Sequence, residues 1–198
     1  MRLWSLQGEA VVSALERGGV VRSSASWTDP AFLSAYAWMQ RQMTRTVGPP
    51  PAPGLSPMWA WAQWHSAHQK KPRLNSRAHF PSGTRAVRLT LEVDPEEVLL
   101  SDFHAWHCVL NRHPLHLSEA EDEDFEVRLQ AVSGSRSKLS GPLPTSLEAE
   151  MKHTWERIFD LTLESEYAFY SRSERSIQAC LWEIRTEQVV LFERFIAR

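Results

Sequence analysis

Three tryptophans fall within six residues in Trp59-Ala60-Trp61-Ala62-Gln63-Trp64, in a chain of 198 residues that holds nine. Indole has a flat apolar face and one N–H donor, which suits a hydrophobic core or a wall against which a flat ligand stacks. A strand alternates its side chains, so Trp59, Trp61 and Gln63 are expected on one face and Trp64 on the other. Near the C-terminal end, Ile177-Gln178-Ala179-Cys180-Leu181-Trp182-Glu183 reads as another strand, with Gln178, Cys180 and Trp182 opposite Ile177, Ala179, Leu181 and Glu183. A glutamine beside indoles can fix the orientation of a heteroaromatic ligand, and it can equally face water at a sheet edge.

Other chemistries have thinner support. His65 with His68, and His104 with His107, are spaced three apart, so each pair could share a helix face and chelate an ion. No carboxylate stands at a matching interval, and the expectation is no metal. His113 and His116 flank a proline and read as loop residues. There is no G-x-S-x-G turn, G-x-G-x-x-G or P-loop, which sets aside the corresponding hydrolase, dinucleotide and kinase patterns. Cys108 and Cys180 sit inside apolar patterns, without CxxC spacing, and read as reduced buried thiols. The acidic run Glu119 to Glu126 reads as the solvated face of a helix.

The elements that must position these residues follow from periodicity and caps. Arg2 to Gln7 alternates as a short strand. Ala10, Val11, Ala14 and Leu15 recur at helical spacing until Gly18-Gly19 stops them. Val20-Val21 is a brief strand. Thr28-Asp29-Pro30 opens a helix carrying Phe32, Leu33, Tyr36, Met39 and Met43 on one face. Gly48 to Gly54 is a stiff proline loop leading into the tryptophan strand. A long polar connection with Lys70, Lys71, Arg73 and Arg77 precedes the cleanest strand, where Val87, Leu89, Leu91 and Val93 alternate with Arg88, Thr90 and Glu92.

Ser101-Asp102 starts a helix with Phe103, Trp106, His107 and Leu110 on a stripe. Ser118 with Glu121, and Thr145 with Glu148, are spaced as capping boxes for two more helices. The second of these carries Leu147, Met151, Trp155, Ile158 and Phe159. Ser133 to Pro144 between them reads as a loop. Strands at Ile177 to Ile184 and Val189 to Ile196 close the chain. The expected architecture is α+β, a single domain over 1–198, with a small split or strongly twisted mixed sheet and flanking helices. A net charge of −2 argues against a strong electrostatic nucleic-acid binder. No apolar run is long enough to cross a bilayer, so the expectation is a cytoplasmic protein with no membrane partner.

Two likenesses add to this reading. Met1-Arg2-Leu3-Trp4-Ser5-Leu6-Gln7, Ala35-Tyr36-Ala37-Trp38-Met39, Trp59-Ala60-Trp61, Val98 to Phe103 and Ile177 to Glu183 together resemble a bacterial domain-of-unknown-function family, which implies no activity. More distantly, the order of strands, glycine-ended helix, aromatic strand and basic loop resembles the split-sheet fold of the ADP-ribosyltransferase superfamily. That likeness implies NAD as co-substrate and transfer of ADP-ribose to an acceptor, protein or nucleic acid, that the sequence leaves open. It also implies one site residue from each of three strands. By position these are Ser5 and Gln7 (Arg2 fitting less well) on the first, Trp59, Trp61 and Gln63 on the second, and Gln178 on the late strand. Glutamine can hold a ribose hydroxyl but cannot ionise, and Glu183 takes the catalytic role only if the strand register moves by one residue. The competing expectation is a non-enzymatic binding or interaction module. A third is nucleic-acid binding, with the tryptophans as stacking platforms and the loop from Lys70 to Arg77 along phosphates.

Overall fold

The computed structural model describes residues 1–74, 79–133 and 143–198. Arg77 and most of the loop expected over Ser133 to Pro144 lie outside the described residues. Two compact units divide the chain: Met1–Leu100 with Ser176–Arg198, and Ser101–Arg175.

In the first unit the alternating apolar segments become strands β1 (Arg2–Gly8), β4 (Met58–Gln63), β5 (Arg85–Glu92), β7 (Ile177–Leu181) and β9 (Val189–Ile196). With β6 (Leu99–Asp102), they form a six-stranded sheet in the order β6-β7-β4-β1-β5-β9. The pairs β4–β7, β1–β4, β1–β5 and β5–β9 are all antiparallel. A second sheet of three strands holds β3 (Leu55–Ser56), β2 (Val20–Ser24) and β8 (Glu183–Arg185), in that order. The class is therefore α+β, with strands from early, middle and late sequence brought into two sheets.

One sheet face buries the main core. Leu3, Val87, Leu89, Leu91, Met58, Ala60, Ala179 and Leu181 pack there with Val12 and Leu15 of helix α1 (Ala10–Gly18). That helix ends as its glycines predict: Gly19 takes φ +69°, and its N–H donates to the Leu15 carbonyl at 2.8 Å. Residues other than glycine pay for that left-handed backbone. The strand β5 is covered on both faces, since Arg88 and Thr90 are buried along with Val87, Leu89 and Leu91. An amphipathic strand was the expectation; a loop over the second face makes it a double-sided one.

Helix α2 (Leu33–Thr46) follows a 3₁₀ turn at Pro30–Phe32, whose entry Asp29 caps by accepting the Ala31 N–H at 2.8 Å. Its buried stripe is Ala35, Trp38, Met39, Gln42 and Met43. Leu33, expected on that face, is half exposed to solvent, because the 3₁₀ turn before it starts the α-helical phase three residues later than Pro30.

The second unit is helical: α3 (Phe103–Leu110), α4 (Glu119–Ser133) and α5 (Thr145–Thr154), the last continuing as 3₁₀ through Trp155–Phe159. Asp102 caps α3 through the Ala105 N–H at 2.9 Å, and Ala105, Trp106 and Val109 are its buried stripe, leaving His107 exposed. Ser118 accepts the Glu121 N–H at 3.2 Å, while the Glu121 carboxylate takes the N–H of Leu117 instead of Ser118. The box expected at Thr145 does not form. Pro144 occupies the N-cap position and Thr145 lies inside the helix, where its hydroxyl is not placed to cap. Leu147, Met151, Trp155 and Ile158 are buried as expected.

Leu89 is fully buried in the core. Replacing it with alanine is expected to cost about 3 kcal/mol, read as a lower urea midpoint at unchanged m-value. Gly19→Ala should cost about 1 kcal/mol by the same measurement, because alanine must adopt the positive φ.

Candidate functional site

Residues directly opposite each other in an antiparallel pair stand on the same sheet face, with Cβ atoms about 5 Å apart. Trp61 is the partner of Trp4 on β1 and of Gln178 on β7, and Trp59 is the partner of Cys180. These five side chains therefore share the face opposite the main core. Gln178 is 4% exposed, Trp61 8% and Cys180 fully buried, while Trp4 and Trp59 are half-buried. Tyr36 of α2 meets Trp59 edge-on at 6.0 Å between ring centroids, and burial pushes its hydroxyl pKa up. Burial also pushes up the Cys180 thiol, which stays protonated and unreactive.

The end of β4 departs from simple alternation. A bulge between Trp61 and Gln63 sets Gln63 opposite Ile177, out of step with Trp59 and Trp61. An extra residue in one strand flips the side chains beyond it. Trp64, expected on the far face, thus meets Trp61 at 4.6 Å with the rings nearly perpendicular. The chain then turns back, with the Trp64 N–H donating to the Lys70 carbonyl at 2.8 Å and the His65 N–H to that of Gln69 at 3.1 Å. His79 closes the group, 4.9 Å from Trp64 and 6.0 Å from Trp61. Its Nδ1 is buried and has no hydrogen-bond partner among the described residues. Burial alone holds its pKa below the ordinary 6.5, because the imidazolium would lose hydration without gaining a counter-charge. Two indoles and a neutral imidazole thus form an aromatic corner beside Gln178.

The structure separates the other residues named from sequence. Ser5 and Gln7 pair with Leu89 and Val87, so they lie on the core face. Gln7 donates to the Ser5 hydroxyl at 2.8 Å, which donates in turn to the Trp59 carbonyl at 2.8 Å. The Gln7 amide nitrogen and the Ser5 hydroxyl are thereby engaged within the sheet. Glu183 is not on the Gln178 strand at all. The long late strand expected from Ile177 to Ile184 breaks at Trp182, whose indole N–H donates to the Gly48 carbonyl at 2.9 Å. Glu183 thereby joins the three-stranded sheet, where it pairs with Arg22 at 2.8 Å and Arg185 at 3.4 Å. It lines a cavity of about 190 Å³ with Glu97, Trp182 and Arg185. In the basic loop, Lys71 meets Glu193 of β9 at 3.0 Å, and Arg73 is exposed.

The second unit holds polar groups that periodicity does not reveal. His116 is buried, with Nδ1 2.8 Å from an Asp122 oxygen, and the Tyr167 hydroxyl donates to the other oxygen at 3.2 Å. His116 lies in a loop, as expected, and the Asp122 carboxylate of the acidic helix holds it there in a buried position. Arg175 is fully buried, lies 4.6 Å over the Phe169 ring, donates to the Tyr170 carbonyl at 2.7 Å and stands 3.7 Å from Asp102. Such a cation on a ring, with carbonyl acceptors, clamps a loop without any ligand. His104 and His107 are exposed on α3, the latter with Nδ1 2.9 Å from the Phe103 carbonyl. Among the described residues no group of three or more His, Cys, Asp and Glu could hold a metal ion. Nor, among them, is any helix long and apolar enough to cross a membrane.

Residues 2–190 match a family described as domain of unknown function (DUF3841). The chain belongs to that family, as the likeness in its opening, tryptophan and Gln178 segments implied. No curated protein and no solved structure matches it.

His79 makes the aromatic corner sensitive to pH. With the folded pKa below the unfolded value, the unfolded chain binds the proton more readily. The stability contributed at this site is complete above about pH 6.5 and is lost as pH falls through the lower folded pKa. Tryptophan emission should drop over the same acidic range, since an imidazolium beside an indole quenches it. His79→Asn should remove both effects, and an unchanged titration in that variant would refute this account of the corner.

Proposed function

We propose that this domain is ADP-ribosyltransferase-like and binds NAD or a related nucleotide against the tryptophan face of its six-stranded sheet. The observation that carries the reading is strand adjacency. The first, second and late strands that the superfamily likeness calls upon correspond to β1, β4 and β7, which are hydrogen-bonded neighbours. Trp61 is flanked directly by Trp4 and Gln178. A base or nicotinamide ring stacks on indole, and a buried primary amide orients it or holds a ribose hydroxyl. Transfer to an acceptor additionally needs charge to stabilise an oxocarbenium-like centre.

A second reading, a binding or interaction module without catalysis, is favoured by a specific observation. The side chains grouped around Trp61 on strands β1, β4 and β7 are indoles, an amide and a thiol, and the Glu183 carboxylate is held by two arginines on the other sheet. The two readings share the binding step and differ in the chemical one.

Titrating NAD should quench intrinsic tryptophan fluorescence and raise the melting temperature, by the stabilisation expected of a ligand that binds only the folded chain. Gln178→Ala should weaken NAD binding by about tenfold or more, the effect of removing one buried hydrogen-bonding group. Glu183→Gln should leave binding unchanged. Neither quenching nor a thermal shift at saturating NAD would sink the nucleotide reading. Release of free nicotinamide during the titration would favour transfer over plain binding.

A further inference from the structure

The tryptophan face continues across the sheet to its far edge. Arg88 on β5 pairs with Glu193 on β9, and Ala86 with Phe195, two residues along the same face. The β5 positions lie two strands and the β9 positions three strands from Trp61, roughly 10 Å and 15 Å at about 4.8 Å per strand. There a groove of about 830 Å³ is lined by Arg73, Leu74, Arg88, Phe195, Ile196 and Arg198.

The groove is basic although the chain as a whole carries a net charge of −2. Arg88 and Lys71 converge on Glu193, at 2.8 Å and 3.0 Å. Burial pushes the Glu193 carboxyl up, but hydrogen bonds from Lys71 and Arg88 outweigh it and keep the group ionised. Arg73 and Arg198 are exposed and have no ion-pair partner among the described residues. Three arginines, Arg73, Arg88 and Arg198, thus line the groove, and Glu193 is shared by Arg88 and Lys71. Arg88 is itself 7% exposed and held rigid: Nε and one Nη donate to Glu193, and the other Nη donates to the Pro72 carbonyl. A guanidinium has five N–H donors, so two of its five are left for a further acceptor. Between the cations the walls are apolar, with Phe195 partly open and Ile196 62% exposed.

We infer that this groove binds single-stranded nucleic acid, with Arg73, Arg88 and Arg198 on successive phosphates and the Phe195 ring beneath a base. An open channel of arginines around an aromatic floor is the arrangement that tracks a phosphate backbone while offering every base a π-face. Three arginines lining one groove favour a strand, which makes several phosphate contacts at once, over one small anion. The inference stands on the groove and does not depend on the nucleotide reading, because a failure of NAD to quench tryptophan leaves it intact.

Fluorescence anisotropy of a labelled oligothymidylate with the full chain at low salt tests it. Saturable binding is expected, with the logarithm of the affinity falling against log salt at a slope of about −2, as for three phosphates on a single strand. Arg73→Glu combined with Arg198→Glu, both exposed and therefore compatible with folding, should weaken binding by about tenfold or more. Arg17→Glu, an equal charge reversal per site on the exposed side of α1, should change it little. No binding at low salt would overturn the inference, as would equal losses in all the charge-reversed variants. Saturation by ADP or inorganic phosphate without binding of the oligonucleotide would overturn it in favour of a small-anion site. Tighter binding of duplex than of single strand would overturn it as well.

Discussion

Strand β4 is hydrogen-bonded on both sides, to β1 and to β7, and this double pairing is the constraint on which the rest of the first unit depends. A strand paired on both edges cannot slip by one residue without turning two faces inside out. Its Met58 and Ala60 go to the core face, where they join Leu3, Ala179 and Leu181 of β1 and β7. Its indoles must then go to the other face. The tryptophan layer thus follows from the strand alternation that sends Met58 and Ala60 to the core, and Trp61 sits between Trp4 and Gln178.

The same constraint explains why the second face of the sheet is closed over by chain. The indoles gathered on one surface make it too apolar to stand in open water, and Arg88 and Thr90 are buried with them. Helix α2 meets the face at Trp59, and the segment after β4 folds back over Trp61 and Trp64. Toward β9 the cover gives way to charged residues and to an arginine groove. One sheet face therefore grades from an aromatic, largely covered region at Trp61 to an arginine-lined one at β9.

The second unit solves a different problem. Two of its best-buried polar groups, His116 and Arg175, are engaged by Asp122 and by Phe169 with backbone carbonyls. These interactions give loops definite conformations where helix propensity alone would not. They account for the histidine and the arginine without any ligand chemistry.

The amino-acid sequence by itself determined the elements whose signals are local. The alternation of β5 and β9, the Asp29-Pro30 and Asp102 helix entries, the Gly19 stop and the face shared by Trp59 and Trp61 are all legible, because period and cap chemistry act within a few residues. What only the tertiary structure decided is where a residue's partner comes from far along the chain. The bulge after Trp61 brings Trp64 and His79 together and removes Gln63 from their side. Trp182 reaches the Gly48 carbonyl and so breaks the late strand, parting Gln178 from Glu183. Ser5 and Gln7 turn inward because Leu89 and Val87 stand opposite them. In each case the deciding contact spans a long sequence separation, and no local period can encode which distant strand will supply it.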